Sequence, residues 1–420
     1  GLAFAARATS CFPGAFPPLN LNEIDALLSE RDLEWEKKDY FLKSNFAAMR
    51  SVGQDPEDTA FIDGSVLMNK PFALAIKSIQ GRAAHREVDR RLVYIDPSPD
   101  HGKDADQGVD QTPGFFSTLK GALSDIPRNQ PIRDDLEWLE SFNERVRRLS
   151  QVVEAVQPKV VEDIGAIISK SVKRAPTPKK IGQLRAKANE MAASHASYAY
   201  DGYARLKLLS VLRDVGDWLH QLIKPPNRVA LGSEIEAWAR RQHIRPIGDA
   251  ARESQNGGSV EWVDFLRSYD ARFRIRRLRF ILRRLNAQYS STQYGHRVRI
   301  YVWLNEFKAR IYDHLDAYQK ASNWELSEAL SHYSGYIQDR PNHKVSAHLI
   351  DEILALAENV MDLKRIDDEV EESLAYYATT TPEFSIWHEI VTAYLGFPYY
   401  DVLTLPMVQW GDLDELDDIK

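Results

Sequence analysis

At 420 residues, with 44% hydrophobic and 27% charged residues, the chain has an ordinary globular composition and room for two or more cores. A net charge of −7 gives no general attraction to nucleic acid, and the one cysteine, Cys11, excludes an internal disulfide framework and fits a reducing, cytoplasmic setting. No apolar run approaches the roughly 18 residues a membrane-spanning helix needs; the stretch around Val160 to Val172 is broken by Glu162, Asp163 and Lys170.

Gly1 stands where an initiator methionine would, and the far end is an acidic run from Asp412 to Asp418; both ends read as cut from something longer. Pro18 to Ala60 is charged and helix-like, with Leu27, Leu28, Trp35 and Phe41 as apolar markers. Ala60-Phe61-Ile62 is a short apolar run stopped by Asp63-Gly64. From Pro71 to Ile79 the spacing of Phe72, Ala75, Ile76 and Ile79 predicts a helix, with Gly81 as its stop. Arg91 to Asp96 then reads as a short strand closed by Pro97. Strand, helix and strand in this order predict a βαβ unit of a parallel sheet, which would put Asp63 at the carboxyl end of a strand, where such sheets hold their sites.

Pro97 to Gly114 is a charged loop and the expected domain boundary, giving residues 1–112 and 113–420. Beyond it nearly everything has helical period, so the chain as a whole is mainly α. Asp134 to Val156 carries Leu136, Leu139, Phe142, Val146, Leu149 and Val153 at three-and-four spacing. Similar faces recur in Leu206 to Ile223, Val260 to Leu285, Val298 to Tyr318, His348 to Leu363 and Phe384 to Leu395. Turn signals separate them, among them Pro176-Thr177-Pro178, Pro225-Pro226 and Arg340-Pro341. Late in the chain, Val402 to Leu405 before Pro406 reads as an edge strand returning to the sheet.

Two segments carry a resemblance. Ala6-Arg7-Ala8-Thr9-Ser10, followed by Phe12-Pro13 and Phe16-Pro17-Pro18, resembles the helix-end and loop segment of patatin-like lipases. Phe61-Ile62-Asp63-Gly64-Ser65-Val66, with Asn69 and Pro71 after it, is similar to that family's D-G-G-V motif, Ser65 replacing the second glycine. Their order along the chain agrees with the family. The resemblance implies that residues 1–112 are the C-terminal remnant of an α/β hydrolase domain with a parallel sheet. The helical remainder resembles the large C-terminal region of long bacterial members.

Enzymes of this family use a Ser–Asp dyad, so the resemblance makes Asp63 the catalytic aspartate. It implies a lipid acyl ester as substrate and no metal, calcium or other cofactor. The aspartate must lie within hydrogen-bond reach of a serine in a G-x-S-x-G turn, beside a glycine-rich loop that stabilises the oxyanion. Gly64 would let the chain turn sharply after the strand, Asn69 would order the following loop, and Pro71 would open the next helix. No serine here has glycine at both the second preceding and the second following position. The nucleophile is therefore expected upstream of the segment that begins here, and this chain alone is expected to be inactive. The rival reading makes the helical region a scaffold or interaction module beside an inactive hydrolase remnant.

Other signals have plainer readings. Val260 to Leu285 is rich in arginine, from Arg267 to Arg284. It is either an anion or phospholipid-headgroup surface at a membrane or, as the favoured reading, a solvated face or the partner of acidic helices such as Asp367-Asp368-Glu369 and Glu371-Glu372. Its aromatics Trp262, Phe265, Tyr269, Phe273 and Phe280 read as a core stripe. His388-Glu389 lacks the second histidine of H-E-x-x-H, and His343 and His348 are badly spaced for one helical face, so no metal site is expected.

Overall fold

The computed structural model describes residues 1–13, 16–46, 49, 54–64, 75–76, 78, 93, 133–171, 175–244, 261–291, 298–324, 327–338 and 345–407. Internal contacts group the chain into two units, residues 1–80 with 90–143 and residues 81–89 with 144–420. The boundary expected at residue 112 lies outside the described residues. The protein is mainly helical, with thirteen α-helices and one two-stranded sheet among the described residues.

The first unit begins with α1 (Leu2–Ala8), β1 (Leu19–Asn20), α2 (Leu21–Glu30) and α3 (Lys38–Asn45). A 3-10 turn (Pro56–Asp58) then leads into β2 (Ala60–Phe61). Phe4, Cys11, Leu19, Leu21 and Leu42 are buried together, and aromatic rings close round them. Phe61 meets Phe4 edge-on at 5.1 Å and Phe46 at 5.5 Å between ring centres, the spacing at which aromatic pairs add to plain burial. Lys38 ties α2 to the 3-10 turn by pairing with Asp25 at 2.7 Å and Glu57 at 2.6 Å.

β1 and β2 pair antiparallel, Leu19 opposite Phe61 and Asn20 opposite Ala60. The parallel partner expected for this strand, Arg91 to Asp96, lies outside the described residues apart from Val93, and the sheet that is described is antiparallel. The charged segment from Pro18 to Ala60 leaves as α2, returns through α3 and comes back alongside its own start. A chain that doubles back in this way needs no crossover and pairs antiparallel. Of the helix predicted over Pro71 to Ile79, Ala75, Ile76 and Ser78 are helical and the rest lies outside the described residues. Of the strand predicted over Arg91 to Asp96 only Val93 is described; it belongs to no strand and is 77% exposed.

Ten further helices follow: α4 (Arg133–Ser171), α5 (Pro178–Ala196), α6 (Tyr198–Ile223), α7 (Arg228–Arg241) and α8 (Glu261–Tyr269), then α9 (Ala271–Ser291), α10 (Val298–Ala321), α11 (Ala347–Met361), α12 (Leu363–Thr380) and α13 (Phe384–Thr404). Their starts are written in the sequence. Thr177 precedes Pro178 and accepts from the Lys180 N–H, and Asn227 accepts from the Val229 and Ala230 N–H groups. Ser346 accepts from the Leu349 N–H. Such caps satisfy donors that the first turn leaves open and are worth about 1 kcal/mol each.

Two expectations for this region need correction and a third is extended. The arginine-rich segment is two helices, because the Asp270 carboxylate accepts from the Phe273 N–H and starts α9 afresh. The helical segment predicted over Asp134 to Val156 extends further, as α4 runs on through Pro158 to Ser171. Val402 to Leu405 forms no strand: Val402 to Thr404 end α13, and Leu405 opens a 3-10 turn. Helix α13 is buried along nearly all its length and packs against α5, α6 and α9. An apolar run buried on every side looks the same in sequence whether it is strand or helix.

The close packing of α13 can be tested. A Cβ added at Gly396 would stand 2.7 Å from Val160 Cγ1 on α4, and a β-branched side chain has little freedom to yield. Gly396→Ala is expected to lower unfolding stability by roughly 1–3 kcal/mol, against the usual gain for Gly→Ala in a helix. Urea unfolding of the two proteins checks this, and equal stability would show that the contact relaxes freely.

Candidate functional site

Around Asp63 the two sequence segments meet. Helix α1 ends in the turn Thr9–Cys11, where the Thr9 and Ser10 hydroxyls both donate to the Ala6 carbonyl, at 3.0 and 2.9 Å. Cys11 is fully buried; its Sγ accepts from Arg7 Nη1 at 2.8 Å and donates to the Arg7 carbonyl at 3.1 Å. The Cys11 carbonyl in turn accepts from the Asp63 N–H at 3.0 Å. With the Leu19–Phe61 pairing, this fixes the backbone of Asp63 from two sides.

The backbone of Asp63 is thus held while its side chain is only half-buried, the arrangement a carboxylate needs to be both fixed and reachable. Thr9 and Ser10 spend their hydroxyls on closing a helix end and are not placed as nucleophiles. Gly64 departs from its expected part: it is exposed, its φ lies outside the left-handed region, and a Cβ there would meet nothing within 4 Å. Its backbone therefore does not require glycine. Ser65, Asn69 and Pro71 lie outside the described residues.

The second unit holds a buried charge cluster that the sequence only partly revealed. The Asp367 carboxylate on α12 accepts from Arg274 Nε at 3.1 Å and Nη2 at 2.9 Å, from Arg277 Nη2 at 3.5 Å and from the Tyr318 hydroxyl at 2.7 Å. Burial alone would raise this carboxyl, but Arg274, Arg277 and Arg185 outweigh it and hold it down at about 2. One turn on, Glu371 accepts from Arg185 Nε at 2.7 Å, yet burial leaves its carboxyl above the usual value.

A second cluster centres on Asp401 of α13, which is 0% exposed and accepts from Arg276 Nε at 3.0 Å and the Tyr203 hydroxyl at 2.8 Å. Lys207 lies beside it, 3.1 Å from Asp270 and 3.6 Å above the Phe273 ring; burial pushes its ammonium down. Arg272 pairs with Asp214 at 3.1 Å. Pairing with the acidic helix is therefore what Arg274 and Arg277 do, and Arg272 and Arg276 are also committed within the fold. The aromatic stripe is core, with Trp262, Phe265, Tyr269 and Phe280 all buried.

Sequence reading missed Asp401, although a signal was there. It is the lone acid in the apolar run from Ile390 to Leu405, and a charge buried among apolar residues must find a partner. Among the described residues no group of three or more His, Cys, Asp or Glu side chains could hold a metal ion, and no helix is long and apolar enough to cross a membrane. Compared with protein-family models, with curated proteins and with solved structures, the chain matches none.

Proposed function

We propose that this chain carries the aspartate side of a patatin-like serine acyl hydrolase, with Asp63 as the dyad carboxylate and a lipid acyl ester as substrate. The observation that carries the reading is the hydrogen bond from the Asp63 N–H to the Cys11 carbonyl. It joins the two segments that resemble the family, Cys11 from the first and Asp63 from the second, 52 positions apart in sequence.

In the chemistry proposed, the Asp63 carboxylate takes the proton of a serine hydroxyl as the serine oxygen bonds to the ester carbonyl carbon. The carbon–oxygen bond to the alcohol then breaks, and the alcohol leaves with the proton that Asp63 held. Water attacks the acyl-serine by the same route, passing its proton through Asp63 to the serine oxygen and releasing the fatty acid. The carboxylate must be fixed yet reachable, which suits a half-buried side chain on a pinned backbone.

The serine is not in this chain, so the reading has a direct test. The 420-residue chain is expected to show no turnover of short acyl esters, whereas a longer protein in which a G-x-S-x-G segment precedes residue 1 is expected to hydrolyse them. Turnover by the 420 residues alone would mean another nucleophile, and an inert longer protein would favour the scaffold reading.

A further inference from the structure

A half-open cleft of about 250 Å³ lies in the second unit, between α4, α9 and α13. Its apolar side includes the buried rings of Phe280, Phe397 and Tyr400. Its polar side includes Arg283, Arg284, Gln157 and Glu154. Arg284 Nη2 donates to the neutral Gln157 Oε1 at 2.9 Å, and its guanidinium lies 5.3 Å from the centre of the Phe280 ring. Arg283 is exposed. Among the described residues neither arginine has a carboxylate partner, unlike Arg272, Arg274, Arg276 and Arg277 on the same helix.

We propose that this cleft binds a small amphipathic monoanion, a medium-chain fatty carboxylate, with its head on Arg283 and Arg284 and its chain on the aromatic side. Two arginines and Glu154 leave the lining one positive charge in excess, which matches one carboxylate and not a phosphate dianion. A guanidinium with donors to spare binds a carboxylate through charge-assisted hydrogen bonds. The volume is below the roughly 300–1,000 Å³ of drug-sized sites, so it takes a single short chain and excludes a two-chain lipid. The cleft lies in the helical unit and does not involve Asp63, so the inference stands apart from the hydrolase reading.

Calorimetric titration of the full chain with decanoate, decan-1-ol and inorganic phosphate tests it. Decanoate is expected to bind at one site per chain. Decanol is expected to bind at least about tenfold more weakly, the loss of a hydrogen bond to a charged group, and phosphate not measurably. Arg283→Gln, at an exposed side chain that the fold does not need, is expected to weaken decanoate by about tenfold. Ala287→Trp, which fills the cleft, is expected to abolish binding, with circular dichroism confirming that it folds. Asp63→Asn is expected to leave decanoate binding unchanged. Equal binding of decanol and decanoate, no decanoate binding at millimolar concentration, or full binding by Arg283→Gln would overturn the proposal.

Discussion

Asp367→Ala is expected to destabilise the helical unit by roughly 3–5 kcal/mol, the usual consequence of removing one partner from a buried ion pair. The loss is large because Arg274 and Arg277 are 6% and 2% exposed and cannot turn to water. Tyr318, fully buried, loses the acceptor of its hydroxyl at the same time. Arg274 keeps the carbonyls of Asp270 and Arg267, each at 2.8 Å, but its Nε–H loses its acceptor and its charge is left unbalanced. Urea unfolding followed by far-UV circular dichroism measures the change. A loss below about 1 kcal/mol would mean that water or a neighbouring carboxylate replaces Asp367, and that the cluster is a weak element of the fold.

The same cluster sets a pH dependence. The folded Asp367 carboxyl is held at about 2, below its ordinary 3.8, so the folded state favours the charged form. Its contribution is therefore complete above about pH 4 and is lost as the pH falls toward 2. The shift corresponds to about 2–3 kcal/mol. Glu371 acts in the opposite sense, since burial raises its carboxyl and the folded state there favours the proton. In Asp367→Asn the acid-side decline of stability is expected to be shallower than in the unaltered protein.

The helices were legible because an amphipathic helix repeats its apolar residues every three or four positions, and caps such as Thr177 and Asn227 mark where it starts. What the sequence concealed has local causes. The apolar spacing of Phe265, Tyr269 and Phe273 continues across Asp270, so periodicity hides a break that a capping carboxylate creates. Pro158 suggests a helix end, but α4 carries its apolar face past it to Val160, Ile164 and Ile167, all buried. Tertiary burial there outweighs the local preference. The antiparallel pairing near Asp63 depends on Leu19 meeting Phe61, a long-range contact that no local pattern announces. The candidate site was legible as a motif. Its anchoring by the Cys11 carbonyl was not, because a backbone hydrogen bond leaves no mark on side-chain identity.

The most direct test of the proposed function is the turnover of Asp63→Asn in a longer protein that carries the serine segment. An amide keeps the size and hydrogen-bonding reach of the carboxylate but cannot take the serine proton. Turnover on a short acyl ester is therefore expected to fall by about a hundredfold to ten-thousandfold, equivalent to roughly 3–5 kcal/mol of barrier. The thermal unfolding midpoint is expected to stay nearly constant, because asparagine keeps the size of the side chain and the backbone N–H bond to the Cys11 carbonyl is left in place. Full turnover by Asp63→Asn, at unchanged stability, would show that Asp63 only shapes the turn after β2 and would contradict the assignment of the dyad carboxylate.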